Sequence, residues 1–269
     1  LVAARLNQTP FAVAVVVLGG VIWMAQRGGE ANPITFGETQ DELIQISDTG
    51  VMAVGEPDAP TIQVWEDYMC PACGAFEQTY GSMLENYVDS GDITLSVFPL
   101  NFLDATSMGS KYSTRAANLE SCVVEQQPDF AFALHNRLLS ANVQPSEGTT
   151  GLTDDQLIEQ AELAGATADT ELKQCVKDQR FAEFIASNTK SATETGLWGL
   201  AEGAQLLDGT GQALQPEGPQ RLISTPTVIV NGQQWSSGRD GDLEAYLLKV
   251  KAALEGNGAA PATEETETE

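Results

Sequence analysis

Positive charge and histidine are scarce in this sequence of 269 residues, and each shortage excludes a class of function. Lysine and arginine number 13 against 38 aspartates and glutamates, which gives a formal net charge of -25. Such an acidic surface repels phosphate backbones and anionic lipids, so nucleic-acid binding is excluded. The one histidine, His135, falls in a helical pattern and is predicted to be an ordinary helical residue rather than a catalytic one. Hydrolases that depend on a histidine triad are therefore disfavoured.

Cysteine is also scarce, and the four cysteines are of two kinds. Cys70 and Cys73 form a Cys-x-x-Cys pair, whereas Cys122 and Cys175 stand far apart in the sequence. An even number of cysteines suits two disulfides in an exported protein, because oxidising compartments let such bonds persist. A zinc site would need a second pair of ligands at suitable spacing, which the chain does not offer. No metal site and no cofactor are predicted.

Charge is absent from the stretch between Arg5 and Arg27, which is strongly apolar. Its length is sufficient for a helix across about 30 Å of hydrocarbon. We therefore expect residues 1–27 to form a single-pass anchor in the cell membrane, with the rest of the chain on the extracytoplasmic side. A cleaved signal peptide is the alternative, and it too exports the remainder. Residues 28–40 are predicted to be a linker, and residues 257–269 a disordered acidic tail.

The sequence around the Cys-x-x-Cys pair predicts a strand, a helix and a second strand. Within residues 61–65 the apolar Ile62 and Val64 alternate with Gln63, and residues 93–98 are rich in β-forming residues. Between them, apolar residues from Phe76 to Tyr87 recur at spacings of three and four. This spacing predicts a helix that follows Pro71 and carries these residues on one face. The cysteine pair is thus predicted to lie at the N-terminus of this helix.

The second half of the chain is predicted to be mostly helical and then to return to β structure. Residues 105–199 show helical periods, with a helix start at the capping sequence that begins at Thr153. Residues 227–230 and 233–235 flank Asn-Gly, the strongest hairpin signal in the chain. An amphipathic helix is predicted from about residue 242 to residue 254.

The predicted position of the cysteine pair suits thiol chemistry. Unpaired backbone N–H groups and the dipole at a helix N-terminus stabilise a thiolate, so the pKa of Cys70 should fall. Pro71 is well placed in the first turn, where its missing N–H has no partner to lose. Cys73 lies one turn further along and is predicted to be more buried. A disulfide between the two would be easily reduced and hence able to oxidise other thiols.

Two motifs taken together resemble those of the DsbA-like branch of the thioredoxin superfamily, with similarity to membrane-anchored actinobacterial members. The motifs are DYMCPAC at residues 67–73 and STPTVIVNG at residues 224–232. The resemblance implies an α/β, thioredoxin-like fold with an inserted helical domain, preceded by an N-terminal transmembrane helix. The two parts of the thioredoxin-like domain would then span residues 41–103 and 201–256, and the insertion residues 104–200.

The resemblance also implies the site. Cys70 and Cys73 would be the catalytic pair, with Pro71 and Ala72 completing the active-site motif. A cis peptide bond between Thr225 and Pro226 would lie beside the disulfide, where the Thr225 backbone can pair with an extended substrate segment. From the residues alone, Thr225-Pro226 could equally begin a strand.

The implied activity is the introduction of disulfides into exported, cysteine-containing proteins by dithiol-disulfide exchange. The implied partners are those substrates and a quinone-coupled membrane enzyme that reoxidises the pair. A reductase or isomerase of the same fold is the alternative, and a binding module or chaperone without catalysis is another. Cys122 and Cys175 fall in helical stretches of the inserted domain, where a structural disulfide would contribute about 2–4 kcal/mol. Free buried thiols are the alternative for these two residues.

Three features depart from the family pattern. Ala72 occupies the place where the more strongly oxidising members often carry histidine. Many relatives have a buried carboxylate six residues ahead of the first cysteine, where this chain has Val64; Glu66 and Asp67 lie nearby in sequence. The segment at residues 201–220 is longer than the usual link into the cis-proline strand.

Overall fold

The computed structural model describes residues 34–36, 45–47, 50–52 and 59–258, with side chains from residue 59 to residue 255. The predicted anchor at residues 1–27 lies outside the described residues, as does the predicted tail beyond residue 258. Within the described part of the chain, none of the helices combines the length and the apolar character that crossing a bilayer requires.

A mixed five-stranded sheet forms the centre of the fold. In spatial order its strands are β1 (Ile34–Phe36), β5 (Thr94–Pro99), β4 (Thr61–Glu66), β6 (Thr227–Val230) and β7 (Gln233–Trp235). Strands β4 and β5 are parallel, and the other neighbouring pairs are antiparallel. Strand β1 falls within the predicted linker and pairs with the outer side of β5. The remaining two strands, β2 (Gln45–Ser47) and β3 (Gly50–Met52), form a separate antiparallel pair.

The predicted β4-helix-β5 unit and the β6-β7 hairpin are confirmed. Val64 in β4 is opposite Val97 in β5 and Val228 in β6, so apolar side chains continue across the central strands. Asn231 and Gly232 close the hairpin with φ angles of 47° and 79°, as a two-residue turn with both residues in the left-handed region requires.

Eight α-helices are described. They are α1 (Pro71–Asp89), α2 (Tyr112–Gln126), α3 (Ala131–Leu138), α4 (Asp154–Leu163), α5 (Thr170–Asp178), α6 (Ala182–Lys190), α7 (Ser237–Asp240) and α8 (Leu243–Gly258). Helices α2 to α6 form the helical region between β5 and β6. The capping box predicted at Thr153 is present, with Gln156 as its reciprocal partner. The predicted α/β class with a helical segment between the two parts of the sheet is therefore confirmed.

Helix α2 is the centre of the helical region, and 12 of its 15 residues are buried. A disulfide between Cys122 in α2 and Cys175 in α5 joins these two helices, with an S–S distance of 2.01 Å and a Cα–Cα distance of 6.1 Å. The main hydrophobic core is continuous from the sheet and α1 into this region. Because the two parts share one core, side chains from α2 and α3 reach the neighbourhood of α1.

Candidate active site

Cys70 caps helix α1, and Cys73 lies within its first turn. The Cys70 backbone is extended, and its N–H donates to the Asp67 carbonyl at 2.9 Å. Pro71 is the first residue of the helix, as predicted from its missing N–H. Cys70 exposes 7% of its surface and Cys73 none, so Cys70 is the sulfur nearer to solvent. Both cysteines are free thiols in this structure.

The surroundings of Cys70 favour its thiolate. A hydrogen bond from the Cys73 side chain is the main cause, and it lowers the pKa of Cys70 to about 6 although burial acts in the opposite direction. A hydrogen bond from the Thr225 side chain and the backbone N–H groups of Ala72 and Cys73 act in the same direction as the first. Ala72 therefore supports the thiolate through its backbone, although its side chain has no donor.

The surroundings of Cys73 favour its thiol. Burial raises the pKa of Cys73 well above the ordinary value, and both its hydrogen bond to Cys70 and the charge of Glu66 add to this effect. At neutral pH the reduced pair consequently holds one proton, on Cys73, and one negative charge, on Cys70. In a thiol-disulfide exchange this division favours Cys70 as the nucleophile, and Cys73 would then be the sulfur that gains or loses a proton.

The predicted second motif lies beside the first in space. Thr225-Pro226 is a cis peptide, and the Cys70 Sγ is 3.4 Å from the Thr225 carbonyl oxygen. The structure thus brings together Cys70, Cys73 and the Thr225-Pro226 loop, which are about 150 residues apart in the sequence. Cys122 and Cys175 are joined to each other in the helical region.

Two side chains that sequence analysis did not assign hold the loop ahead of α1. The Asp67 carboxylate is fully buried, and it accepts hydrogen bonds from the backbone N–H groups of Met69 and Leu103, both at 2.8 Å. Burial raises its pKa to about 7. From the helical region, the Gln144 side-chain amide donates to the Cys70 carbonyl at 2.9 Å. A side chain at Gly74 would meet Gln144, since a Cβ there would lie 2.2 Å from its Oε1.

A group of buried titratable side chains, which we call the buried acidic cluster, lies beneath the cysteine pair. Its members are Glu66, Tyr68, Glu77, Glu120 and His135. The His135 Nδ1 is 3.0 Å from the Tyr68 hydroxyl and 3.5 Å from the Glu66 Oε1. Its Nε2 is 3.5 Å from the Glu77 Oε2. His135 lies in helix α3, as predicted, and its buried side chain is at the centre of this cluster.

The buried acidic cluster retains protons at neutral pH. Burial raises the pKa values of Glu66 and Glu120 to about 8. Burial opposes protonation of His135, but the charges of Glu66 and Glu77 outweigh it and raise its pKa to about 10. The carboxyl oxygens of Glu66 and Glu120 have no hydrogen-bond partner among the described residues.

One sequence signal could have identified part of the cluster. Glu77 lies four residues after Cys73 and four before Gly81, so the three share one face of α1. A Cβ at Gly81 would lie 2.1 Å from the Glu77 Oε1, so the glycine leaves room for that carboxylate. Glu120 and His135 gave no comparable signal, because only the packing of α2 and α3 against α1 brings them to the site. In the described residues, no group of three or more histidine, cysteine, aspartate or glutamate side chains is arranged to hold a metal ion.

Comparison with known proteins gives one family and several similar folds. The family model described as thioredoxin matches residues 47–199, more than half of the chain. The serine/threonine-protein kinase PknE of Mycobacterium tuberculosis is 30% identical over 155 residues, which are 56% of this chain. The match spans only 27% of the length of that kinase.

Among solved structures, oxidised DsbA of M. tuberculosis superposes with a TM-score of 0.58 at 23% identity, covering 85% of this chain and 94% of DsbA. Reduced DsbG of the same organism gives 0.58 at 22% identity, covering 88% and 95%. The thiol-disulfide oxidoreductase MdbA of Corynebacterium diphtheriae gives 0.53 at 19% identity, covering 84% and 97%. At these identities the structural matches show a shared fold. The family match shows more: the chain belongs to the thioredoxin family, and it has the fold of the DsbA-type thiol-disulfide oxidoreductases.

Proposed function

We propose that this thiol-disulfide oxidoreductase introduces disulfides into exported proteins by donating the Cys70-Cys73 disulfide. The observation that carries the proposal is the position of Cys70 at the N-terminus of α1, with Cys73 buried one turn along and the Thr225 carbonyl oxygen 3.4 Å from the Cys70 Sγ. The hydrogen bond from Cys73 and the backbone N–H groups at this position lower the pKa of Cys70 to about 6, while Cys73 remains a thiol. A stabilised Cys70 thiolate stabilises the reduced pair, so the corresponding disulfide is a better oxidant. This difference between the two cysteines supports the oxidising direction.

The exchange proceeds in two displacements. A substrate thiolate attacks the Cys70 Sγ of the oxidised protein, the Cys70-Cys73 bond breaks, and its electron pair goes to the Cys73 Sγ, which takes up a proton. A second substrate thiolate then attacks the substrate sulfur of the mixed disulfide, and Cys70 leaves as a thiolate. The substrate is oxidised by two electrons, and the protein now carries the reduced pair.

The buried acidic cluster is suited to supply the proton that Cys73 needs. Cys73 is fully buried, so bulk water does not meet it directly. Glu66 is close enough for its charge to raise the pKa of Cys73. Its own raised pKa keeps a substantial fraction of it protonated at neutral pH. We therefore propose that Glu66 delivers this proton to Cys73 and takes it back when the pair is reoxidised.

The reductase or isomerase direction is the second candidate, and Ala72 is the observation that favours it. Ala72 offers only its backbone N–H to the Cys70 thiolate. A side-chain donor at this position would stabilise the thiolate further and strengthen the oxidant.

We also propose that the domain works outside the cytoplasm, anchored by residues 1–27 and reoxidised by a quinone-coupled membrane enzyme. The uncharged stretch between Arg5 and Arg27 supports the anchor. The Cys122-Cys175 disulfide supports an oxidising compartment, because such bonds are rare where thiols are kept reduced.

The proposal is tested by mixing the oxidised protein with a reduced, unfolded protein that contains cysteines and counting the free thiols of that substrate over time. We expect them to disappear as the Cys70-Cys73 pair becomes reduced. Cys70→Ser should abolish the reaction, whereas Cys122→Ala combined with Cys175→Ala should leave it unchanged. Untouched substrate thiols would contradict the oxidase proposal. Reduction of an oxidised substrate by the reduced protein that is faster than oxidation of the reduced substrate would favour the reductase direction. Substrate binding by the unaltered protein without any exchange, retained in Cys70→Ser, would favour a binding module.

A further inference from the structure

The imidazole ring of His135 has an oxygen atom of another side chain against each of its two nitrogens. Its Nδ1 is 3.0 Å from the Tyr68 hydroxyl and 3.5 Å from the Glu66 Oε1. Its Nε2 is 3.5 Å from the Glu77 Oε2. A neutral imidazole carries a proton on one nitrogen only, whereas the imidazolium carries one on each. A ring with oxygens at both nitrogens is therefore suited to the charged form.

The surroundings of His135 stabilise this positive charge although the ring is buried. His135 lies in the last turn of α3, where the negative end of the helix dipole favours a cation. The charges of Glu66, Glu77 and Glu120 raise its pKa to about 10, against the effect of burial. The ring thus remains an imidazolium across the neutral pH range.

Glu66 is the carboxyl group that we propose exchanges a proton with Cys73, and for that role it must exist in both protonation states. Burial alone would keep a carboxyl group protonated throughout the neutral range, and such a group could not take a proton back. The charge of His135 opposes the effect of burial on Glu66. The pKa of Glu66 is consequently raised only to about 8, close enough to neutral for the carboxylate to form.

We propose that His135 is a positioning residue for proton transfer at Cys73, because its buried positive charge stabilises the Glu66 carboxylate and lets Glu66 alternate between giving and taking a proton. The inference rests on the proposed exchange at Cys70 and deepens it. Its consequence is that the helical region between β5 and β6 contributes a charge to the exchange. His135 itself keeps both of its protons during the reaction.

The titratable and charged groups that face Glu66 come from several elements. They are His135 on α3, Glu77 and Cys73 on α1, Cys70 at its N-terminus, Asp67 and Tyr68 in the loop ahead of it, and Glu120 on α2. Glu77 raises the pKa of Glu66, whereas His135 lowers it. Removal of the charge of one or the other should therefore shift the titration of Glu66 in opposite directions.

The test follows the infrared carbonyl band of protonated carboxyl groups in the intact oxidised protein as the pH is raised. The oxidised form is used because its active-site cysteines do not titrate. Each spectrum is compared with that of the same protein carrying Glu66→Gln, so that the difference reports Glu66. We expect a midpoint near pH 8 in the unaltered protein. His135→Gln should raise the midpoint by at least about one pH unit, and Glu77→Gln should lower it.

Phe132→Leu is the matched control for the loss of packing. Phe132 also lies on α3, and its ring centroid is 6.0 Å from that of His135, but it carries no charge. The midpoint of Glu66 in this variant should stay near that of the unaltered protein. A midpoint that does not rise in His135→Gln would overturn the inference, as would an equal rise in Phe132→Leu or a rise in Glu77→Gln.

A second measurement on the unaltered protein decides the question even if His135→Gln does not fold. His135 is the one histidine of the sequence, so its ring resonance in an NMR spectrum is identified without a variant. The ring should remain charged at pH 8, and loss of its charge near the ordinary pKa of 6.5 would overturn the inference. Neither measurement depends on exchange, so failure to oxidise a substrate, with both results as expected, would count against the proposed function instead.

Discussion

Cys70 and Cys73 lie within one turn of the same helix, yet their surroundings favour opposite protonation states. Cys70 lies at the open end of α1, where backbone N–H groups and the Cys73 thiol stabilise its thiolate. Cys73 faces the core and the Glu66 carboxyl, which disfavour charge on it. A separation of three residues thus provides both a nucleophile and a protonated partner.

Glu66→Gln tests the proton pathway at the scale of one residue. The amide preserves the shape of the side chain but cannot exchange a proton, so oxidation of a reduced substrate should slow by roughly tenfold to a hundredfold near neutral pH. The oxidation rate of Glu66→Gln should also lack the change near pH 8 that titration of Glu66 contributes. Stopped-flow measurement of the rate between pH values on both sides of 8 checks both outcomes.

Glu120→Gln is the matched control for that prediction. Glu120 is equally buried and has the same raised pKa, but its charge does not act on Cys73 to the extent that Glu66 does. The exchange rate of Glu120→Gln should stay within about threefold of the unaltered protein. Equal effects of the two substitutions would show that the cluster acts only through the stability of the fold.

At the scale of the elements, sequence patterns predicted the parts of the site that depend on local structure. The N-terminus of α1 follows from Pro71 and the apolar spacing after it, and the β6-β7 hairpin follows from Asn231-Gly232. The cis peptide at Thr225-Pro226 was expected from the family resemblance rather than from local propensity. The start of α1 and the hairpin turn are thus encoded by residues at, or next to, the positions where they occur.

The remaining parts of the site depend on contacts between distant elements, which periodicity does not report. Helices α2 and α3 carry Glu120 and His135 to α1, and the loop after α3 carries Gln144 to the Cys70 carbonyl. The alternation in strand β4 did not predict whether the Glu66 side chain faces the core or solvent, and the structure shows that it is fully buried.

The turn at residues 206–214 does carry a local signal, because Asp208-Gly209 is a common turn sequence and the Asp208 side chain accepts the Thr210 N–H as in an Asx-turn. The bridge between Leu207 and Ala213 has no such signal in the sequence.

The disulfide between α2 and α5 should stabilise the helical region without taking part in the exchange. Cys122→Ala combined with Cys175→Ala should lower the free energy of unfolding by about 2–4 kcal/mol, because the bond closes a long loop in the unfolded chain. Urea denaturation measures the change. A difference below about 1 kcal/mol would show that packing of α2 alone holds the two helices together.

At the scale of the whole molecule, the fold buries carboxyl groups that a typical domain would leave in water. The pKa values of Glu66 and Glu120 rise from 4.5 to about 8, and that of Asp67 rises from 3.8 to about 7. His135 changes in the same direction, from 6.5 to about 10. At a pH between the ordinary pKa of one of these groups and its raised pKa in the folded protein, the folded protein holds a proton that the unfolded chain has released.

The free energy of unfolding should therefore fall as the pH rises from about 5 to about 8, by up to about 1.4 kcal/mol per pH unit for each proton retained. The oxidised protein is the form to measure. In the reduced form the lowered pKa of Cys70 makes the free energy of unfolding rise with pH, which opposes the expected fall. Denaturant titration at several pH values should show this fall, and Glu120→Gln should make it shallower. Stability that is constant or rises over this range would contradict the burial of these carboxyl groups.

The most direct measurement of the whole account is the alkylation of the reduced protein by iodoacetamide as a function of pH, with the modified cysteine identified by peptide mapping. We predict that Cys70 is modified first, with a half-maximal rate near its pKa of about 6, and that Cys73 stays protected while the protein is folded. Cys73→Ala should move the midpoint to higher pH, because the Cys70 thiolate loses its principal hydrogen bond. Modification of Cys73 before Cys70, or a Cys70 midpoint near the ordinary value of 9, would contradict the claim that Cys70 is the activated nucleophile.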